Sequence, residues 1–161
     1  MKEEINFVNF RKEQGLELIQ LWRKSFAHAM GIEEDTREEV VNEHLAYLQT
    51  YNPEIIRVAV EKIENKIVGF MAKEASTIKD LFIHVEYQRR GLGSRFIQKA
   101  KEEEEFLTLS TFQLNKGAQK FYEFHDFVIA ECGFAGFEGN SWANDQEQLA
   151  DITYEWKRVT K

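Results

Sequence analysis

Cysteine occurs once in this chain, at Cys132, and proline once, at Pro53. A single thiol excludes an internal disulfide and a multi-cysteine zinc site, so no metal is expected and the fold must rest on its own core. Linkers rich in proline, glycine or serine are absent, as are repeats and low-complexity tracts, and one continuous domain over residues 1–161 is the economical reading. No apolar run approaches the roughly 18 residues needed to cross a bilayer. The opening Met1-Lys2-Glu3-Glu4-Ile5 lacks the apolar stretch of a signal peptide, which makes a cytoplasmic protein the expectation. Basic residues are also in short supply, 21 against 28 acidic ones, for a net charge of −7. Such a surface repels nucleic acid and anionic membranes, so neither is an expected partner, and it favours cationic small molecules.

What is present is globular. Hydrophobic residues make up 43% and charged residues 30% of the chain, which excludes a disordered or fibrous protein. At this length about two-thirds of the unfolded surface goes inside, enough for one real core.

Apolar periodicity then divides the chain. Ile5–Phe10 alternates like a half-buried strand. Leu16, Ile19, Trp22, Arg23 and Phe26 recur at helical spacing, with Leu18 and Leu21 widening the apolar face. After a break at Gly31, Asp35 or Thr36 is placed to cap a second helix carrying Val40, Val41, His44, Leu45 and Leu48 inward, and Asn52-Pro53 ends it. Ile55–Glu61 and Lys66–Glu74 read as a hairpin, followed by a strand over Thr77–Val85. Leu92, Phe96, Ile97 and Ala100 mark a helix, Phe106–Leu114 a strand, and Ala118, Phe121, Tyr122 and His125 another helix. Strands near Phe127–Cys132 and Ile152–Val159 close the chain. Hairpins mixed with two strand-helix-strand crossovers imply an α/β or α+β fold. Its mixed sheet has six or seven strands, partly parallel in its second half, flanked by about four helices.

The informative segment is Leu81-Phe82-Ile83-His84-Val85-Glu86-Tyr87-Gln88-Arg89-Arg90-Gly91-Leu92-Gly93-Ser94. A strand, a glycine-bearing turn and a helix start together make an anion site, because the first N–H groups of a helix have no internal acceptor and the helix dipole adds positive potential. Gly91 and Gly93 let backbone approach a phosphate, and Arg89 and Arg90 add charge. The alternative is a plain tight turn with two exposed arginines. A Walker A loop is excluded, since no Gly-Lys-Ser/Thr triplet occurs. A dinucleotide fingerprint is excluded too, because Phe96 stands at its third glycine.

Gln88-Arg89-Arg90-Gly91-Leu92-Gly93 resembles the Q/R-x-x-G-x-G/A signature of the GNAT superfamily of acetyl-CoA-dependent N-acetyltransferases. The approach to it, Leu81 to Tyr87, is similar to the family's L-Y-V-H-P-x-Y with Val85 in the proline position, and Asn115-x-x-Ala118-x-x-Phe121-Tyr122-x-x-x-Asp126-Phe127 resembles its N-x-x-A-x-x-F-Y-x-x-x-G-F segment. The element order agrees over nearly the whole chain.

The resemblance implies acetyl-CoA as cofactor, with its pyrophosphate on the amides of Gln88, Arg89, Arg90, Gly91, Leu92, Gly93 and Ser94. It implies main-chain hydrogen bonds from Ile83 and Val85 to the pantetheine arm, and a further contact from Asn115. The Val85 N–H becomes the expected donor to the thioester carbonyl, a role proline could not fill. Tyr122 matches the tyrosine that serves the family as general acid, and a phenol of pKa about 10 is protonated at neutral pH. The general base stays open among His84, Asp80, Glu86 and water. Cys132 is a remote candidate for a covalent nucleophile, and Asp126 replaces the family glycine in a turn that favours left-handed backbone.

The acceptor is expected to be a primary amine of a small molecule or peptide, transferred to directly in a ternary complex. The residues to recognise it lie in Ser25–Thr36 and Phe134–Asp145, where Phe26, His28, Met30, Glu33, Glu34, Asp35, Phe134, Phe137, Glu138, Asn140 and Trp142 offer acidic and aromatic groups. A solvated loop with aromatics plugging the core is the alternative at those segments. A non-catalytic acyl-CoA-binding module or subunit is the alternative function, and a monomer or homodimer the expected state.

Overall fold

The computed structural model describes residues 4–159. The first three residues of the stretch read for a signal peptide, and the last two of the expected domain, lie outside it.

Strand β1 (Ile5–Asn9) leads into helix α1 (Gly15–Met30) and helix α2 (Glu38–Leu48). Three antiparallel strands follow, β2 (Ile56–Glu61), β3 (Lys66–Glu74) and β4 (Thr77–Ile83). The chain continues through α3 (Leu92–Glu103), β5 (Phe106–Phe112), α4 (Lys116–Phe124), β6 (Val128–Phe134) and β7 (Ala150–Lys157). These make one seven-stranded sheet in the order β1-β2-β3-β4-β5-β7-β6. Every neighbouring pair is antiparallel except β4 and β5, which run parallel. The seven strands and four helices are the architecture expected. Among the described residues no helix is long and apolar enough to cross a membrane.

Helices cover both faces. On one, Leu18, Ile19 and Trp22 of α1 and Leu48 of α2 pack on Ile56, Val58, Phe70 and Ala72. On the other, Leu92, Phe96, Ile97 and Ala100 of α3 and Tyr122 of α4 pack on Val68, Met71, Leu107, Leu109 and Tyr154. A bulge serves both sides: Ala59 pairs with Gly69 but Val60 with Ile67, so Val68 is the extra residue and the inside–outside alternation of β3 shifts there. Gly69 sits beside it because a Cβ would stand 2.8 Å from Ile83 Cδ1.

Some boundaries differ from the sequence reading for local reasons. Leu16 is 49% exposed, since α1 begins at Gly15 and its first turn overhangs the core. Helix α2 takes Arg37 as its cap residue, with Asp35 Oδ1 accepting from the Arg37 N–H at 3.2 Å instead of capping the helix itself. Strand β5 stops at Phe112, and β6 runs on to Phe134. Strand β4 ends at Ile83, so Val85 is not in it: His84 caps a short 3-10 turn over Val85–Tyr87.

Candidate active site

The parallel pair opens. Strands β4 and β5 meet only at Thr77–Thr108, beside a hydrogen bond from the Thr108 N–H to the Ser76 carbonyl at 2.9 Å. Beyond this point β5 stays with β7 as far as Phe112–Asp151, and β4 stays with β3 as far as Gly69–Ile83. The two strands therefore part toward their C-terminal ends. Because the His84 N–H donates to the Val68 carbonyl at 2.8 Å, residues 80, 82 and 84 turn their main-chain groups toward β3, and Leu81 and Ile83 turn theirs into the gap. The Ile83 carbonyl is already held, by Ser25 Oγ and Gln88 Nε2, both at 3.0 Å. The Leu81 and Ile83 amides and the Leu81 carbonyl are what the gap offers an extended ligand.

The glycine turn lies at the open end. Arg89 and Gly91 both adopt left-handed backbone, with φ of 63° and 83°. Gly91 caps α3, and nothing would touch a Cβ there, so conformation and not crowding requires glycine. A non-glycine residue held at positive φ costs about 1–3 kcal/mol, and such strain gathers at binding turns. Sequence reasoning missed it at Arg89. Gly93 is needed for a different reason. Its Cβ would lie 3.1 Å from the Phe121 ring, so its bareness seats α3 against α4. The Arg90 guanidinium stacks on Tyr87 at 4.7 Å, and Arg95 on Phe7 at 4.3 Å.

Several residues expected to contact the cofactor, Gln88 and Ser94 through their amides, have their side chains engaged within the protein. Gln88 is spent on Ile83, as above. Asn115 Oδ1 accepts from the Ala118 N–H at 3.0 Å, capping α4, which leaves its Nδ2 for any ligand. Ser94 Oγ pairs with His125 Nε2 at 2.9 Å. This last link was hidden in the sequence because it joins the start of α3 to the end of α4.

Tyr122 and Asp80 carry the ionisable chemistry. Tyr122 is buried among Phe121, Phe127 and Tyr154, and burial together with the Asp80 charge pushes its hydroxyl well above the usual phenol range, so it stays protonated. Asp80, on β4, is raised by burial to about 6, against the lowering effects of a hydrogen bond from Tyr51 and the charge of Lys79. Tyr51 Oη donates to Asp80 Oδ2 at 2.6 Å; among the described residues Oδ1 takes no hydrogen bond. His84 is differently employed. Its Nδ1 accepts from the Glu86 N–H at 3.1 Å, and burial, with Lys66 and Lys24 nearby, lowers its pKa. Glu86 is exposed. Cys132 lies on edge strand β6, with β7 between it and β5, so it is two strands from the gap. Asp126 takes φ of 69°, the left-handed geometry its place demanded.

On the α1–α2 side, the two loop segments expected to bind an acceptor meet. Phe26 approaches Trp142 at 5.5 Å and Phe112 at 6.0 Å between ring centroids, with Phe112 and Trp142 5.1 Å apart. Phe82 adds a wall at 6.4 Å from Phe26. Met30 is instead buried in the core, and His28, Glu33, Phe134, Phe137 and Glu138 are exposed.

A family model described as an acetyltransferase (GNAT) domain matches residues 52–129, the stretch holding the gap, the turn, Asp80 and Tyr122. A curated relative, the peptidyl-lysine N-acetyltransferase YiaC of Escherichia coli, is 28% identical over 97 residues. Residues 52–129 are thus similar to the GNAT acetyltransferase domain. The match to YiaC spans 60% of this chain and 60% of that relative's length. The GNAT fold itself recurs with near-complete coverage. The apo form of Escherichia coli YjaB superposes with a TM-score of 0.72 at 22% identity, covering 97% of this chain and 99% of that one. PaiA N-acetyltransferase from Thermoplasma acidophilum, solved with coenzyme A, gives 0.63 at 17% identity, covering 96% of this chain and 99% of that one. Acetyl-CoA is the cofactor of GNAT proteins, and the strained turn, the free amides of α3 and the unpaired edge of β4 fit a phosphate-bearing, extended ligand of that kind.

Proposed function

We propose that this chain transfers an acetyl group from acetyl-CoA directly to a primary amine held between the α1–α2 side of the gap and Trp142. The observation that carries the reading is the placement of two ionisable groups by one opening: Asp80, near 6, and Tyr122, held protonated, both beside the parting of β4 and β5.

When bound, acetyl-CoA would supply the acetyl group as a thioester and leave as a thiol. The amides of Arg89, Arg90, Gly91, Leu92, Gly93 and Ser94 would hold its pyrophosphate, with Gln88 shaping the turn through Ile83. Leu81 and Ile83 would pair with the pantetheine arm. The Val85 N–H opens the 3-10 turn, where first-turn amides lack an internal acceptor, and would face the developing negative oxygen. Asp80 Oδ1 takes a proton from the ammonium form of the acceptor, leaving a lone pair free to attack. Tyr122 Oη gives a proton to the departing sulfur and regains one from the nitrogen, which loses its second proton as the amide forms. His84 acts as a structural cap, because its Nδ1 is committed to Glu86.

A lysine side chain in a peptide is the acceptor best supported. Half-buried rings favour its alkyl stem and ammonium, and the relative YiaC is named a peptidyl-lysine N-acetyltransferase. Cytoplasmic location and a monomeric or homodimeric state belong to the same proposal. Incubation of the protein with acetyl-CoA and lysine-containing peptides, followed by mass spectrometry, tests it. Acetylated peptide from wild type and at least tenfold less from Tyr122→Phe is the expected outcome. Acetyl-CoA binding with no transfer to any amine, and no effect of Tyr122→Phe, would select the non-catalytic binding module.

A further inference from the structure

Asp80 is connected to solvent by two phenols. Tyr51 follows the end of α2, and Tyr47 lies four residues earlier, so helical geometry places both rings on one side, with centroids 5.4 Å apart. Tyr51 Oη stands 2.6 Å from Asp80 Oδ2 and 3.5 Å from Tyr47 Oη. Tyr51 is buried, whereas Tyr47 is 51% exposed. Three oxygens therefore run in sequence from the carboxylate beside the gap to bulk water. Trp22 packs against both rings, at 6.4 Å from Tyr51 and 6.5 Å from Tyr47, and holds the pair in place.

Resting on the reading that Asp80 takes the amine's proton, we infer that Tyr51 is a positioning residue for Asp80 and that Tyr51 and Tyr47 carry that proton onward to solvent. A phenol has one proton to give and lone pairs to accept. At rest the Tyr51 proton serves the Asp80 carboxylate, and Tyr47 Oη is the second acceptor within reach of the Tyr51 hydroxyl, at 3.5 Å. The bond from Tyr51 fixes the carboxyl plane and leaves Oδ1 for the amine. Once Oδ1 has gained the proton, rotation of the carboxyl about Cβ–Cγ brings the new O–H to Tyr51 Oη. The Tyr51 proton then passes to Tyr47 Oη and the Tyr47 proton to water. Each oxygen gains one proton as it loses one, so the net change is one proton from ammonium to water. No free phenolate forms, in keeping with the strong upward push that burial and Asp80 exert on Tyr51.

Other ionisable groups reach Asp80 as well. Lys79, on the same strand, stacks on Tyr51 at 4.4 Å, and Tyr122 approaches from α4. Neither offers an exit, because Lys79 is a cation and Tyr122 is enclosed.

Phenylalanine at either position keeps the ring and removes only the oxygen. The Asp80 carboxyl carbon can be followed by NMR in 13C-labelled protein, assigned by its loss in Asp80→Asn, with thermal midpoints confirming that each variant is folded. Wild type should titrate near pH 6. Tyr51→Phe should titrate about one pH unit higher, because a donor to the charged form is gone, while Tyr47→Phe should leave the midpoint in place. In turnover of a lysine peptide, Tyr47→Phe should lower kcat several-fold with the KM for acetyl-CoA unchanged, and added imidazole should restore the rate by carrying the proton itself. A Tyr51→Phe titration identical to wild type, or a Tyr47→Phe enzyme with full kcat at low buffer, would overturn the assignment. Full activity in Asp80→Asn would instead overturn the underlying reading of Asp80 as the base.

Discussion

On the proposed mechanism, Asp80 bears on both rate and stability. Its folded pKa, about 6, lies above the ordinary 3.8, so the folded protein binds this proton more tightly than the unfolded chain does. The associated stability is present in full below about pH 4 and is lost as pH rises through 6. Asp80→Asn should therefore stabilise the fold at pH 7.5 by on the order of 1–2 kcal/mol, the shift being discounted for partial exposure, and by nothing at pH 3.5. Urea unfolding at the two pH values checks it. The same variant should lose about a hundredfold or more in kcat/KM and lose the rise in activity through pH 6, since a general base contributes about 10²–10⁴. Greater stability together with wild-type activity would remove Asp80 from the mechanism. Tyr122→Phe should lower kcat by at least tenfold without weakening acetyl-CoA binding, because the proposed role of its hydroxyl falls at the departure of sulfur. Kinetics and calorimetry separate those two effects.

Among elements, the close contact of Gly93 with the Phe121 ring seats α3, which follows the glycine turn, against α4. Gly93→Ala places a methyl 3.1 Å from Phe121 and should cost about 1–3 kcal/mol, the usual range for overpacking. In a Phe121→Leu background the same change should cost less than half as much, and thermal unfolding of the four proteins closes that cycle. An additive result would deny that Phe121 is what Gly93 makes room for. This contact also marks what the chain discloses locally. The anion turn, α3 and the strand before it announce themselves through apolar period, paired glycines and arginines within a dozen residues. The end of β4 at Ile83 was less legible, because whether His84 continues a strand or caps a turn depends on its bond to Glu86. Gln88 (by its amide) and Asn115 read as ligand contacts by motif, whereas the bonds of their side chains to neighbouring backbone were not legible there. The partners of Gly93, Ser94 and Asp80 come from elements 28 to 31 residues away, beyond the reach of any periodicity.

For the molecule as a whole, the sheet order turns these local features into a site. Placing β7 between β5 and β6 gives β5 a full antiparallel partner, which lets it leave β4 after Thr108. Seven strands and four helices could be counted from the sequence, but this strand order could not, because it depends on non-local pairing. Charge is likewise distributed at this scale. A chain of net charge −7 gathers Arg89, Arg90 and Arg95 about one helix start, which favours a polyanionic ligand there. Acetyl-CoA affinity should fall several-fold on raising salt from about 0.05 to 0.5 M, as partly exposed charge pairs are screened within a few ångström. An affinity indifferent to salt would assign binding to the pantetheine gap and not to the arginines.

The whole mechanism depends on acetyl-CoA binding along the β4–β5 opening with its pyrophosphate on the turn at Gly91. Thermal unfolding of wild type and Gly91→Glu, each with and without millimolar acetyl-CoA, tests this most directly, each protein serving as its own baseline. A ligand at 100 times its Kd adds about 2.7 kcal/mol, enough to raise the midpoint of a domain this size by several degrees. That rise is expected in wild type, with none in Gly91→Glu. Equal rises in both proteins, or none in wild type, would contradict this mode of binding.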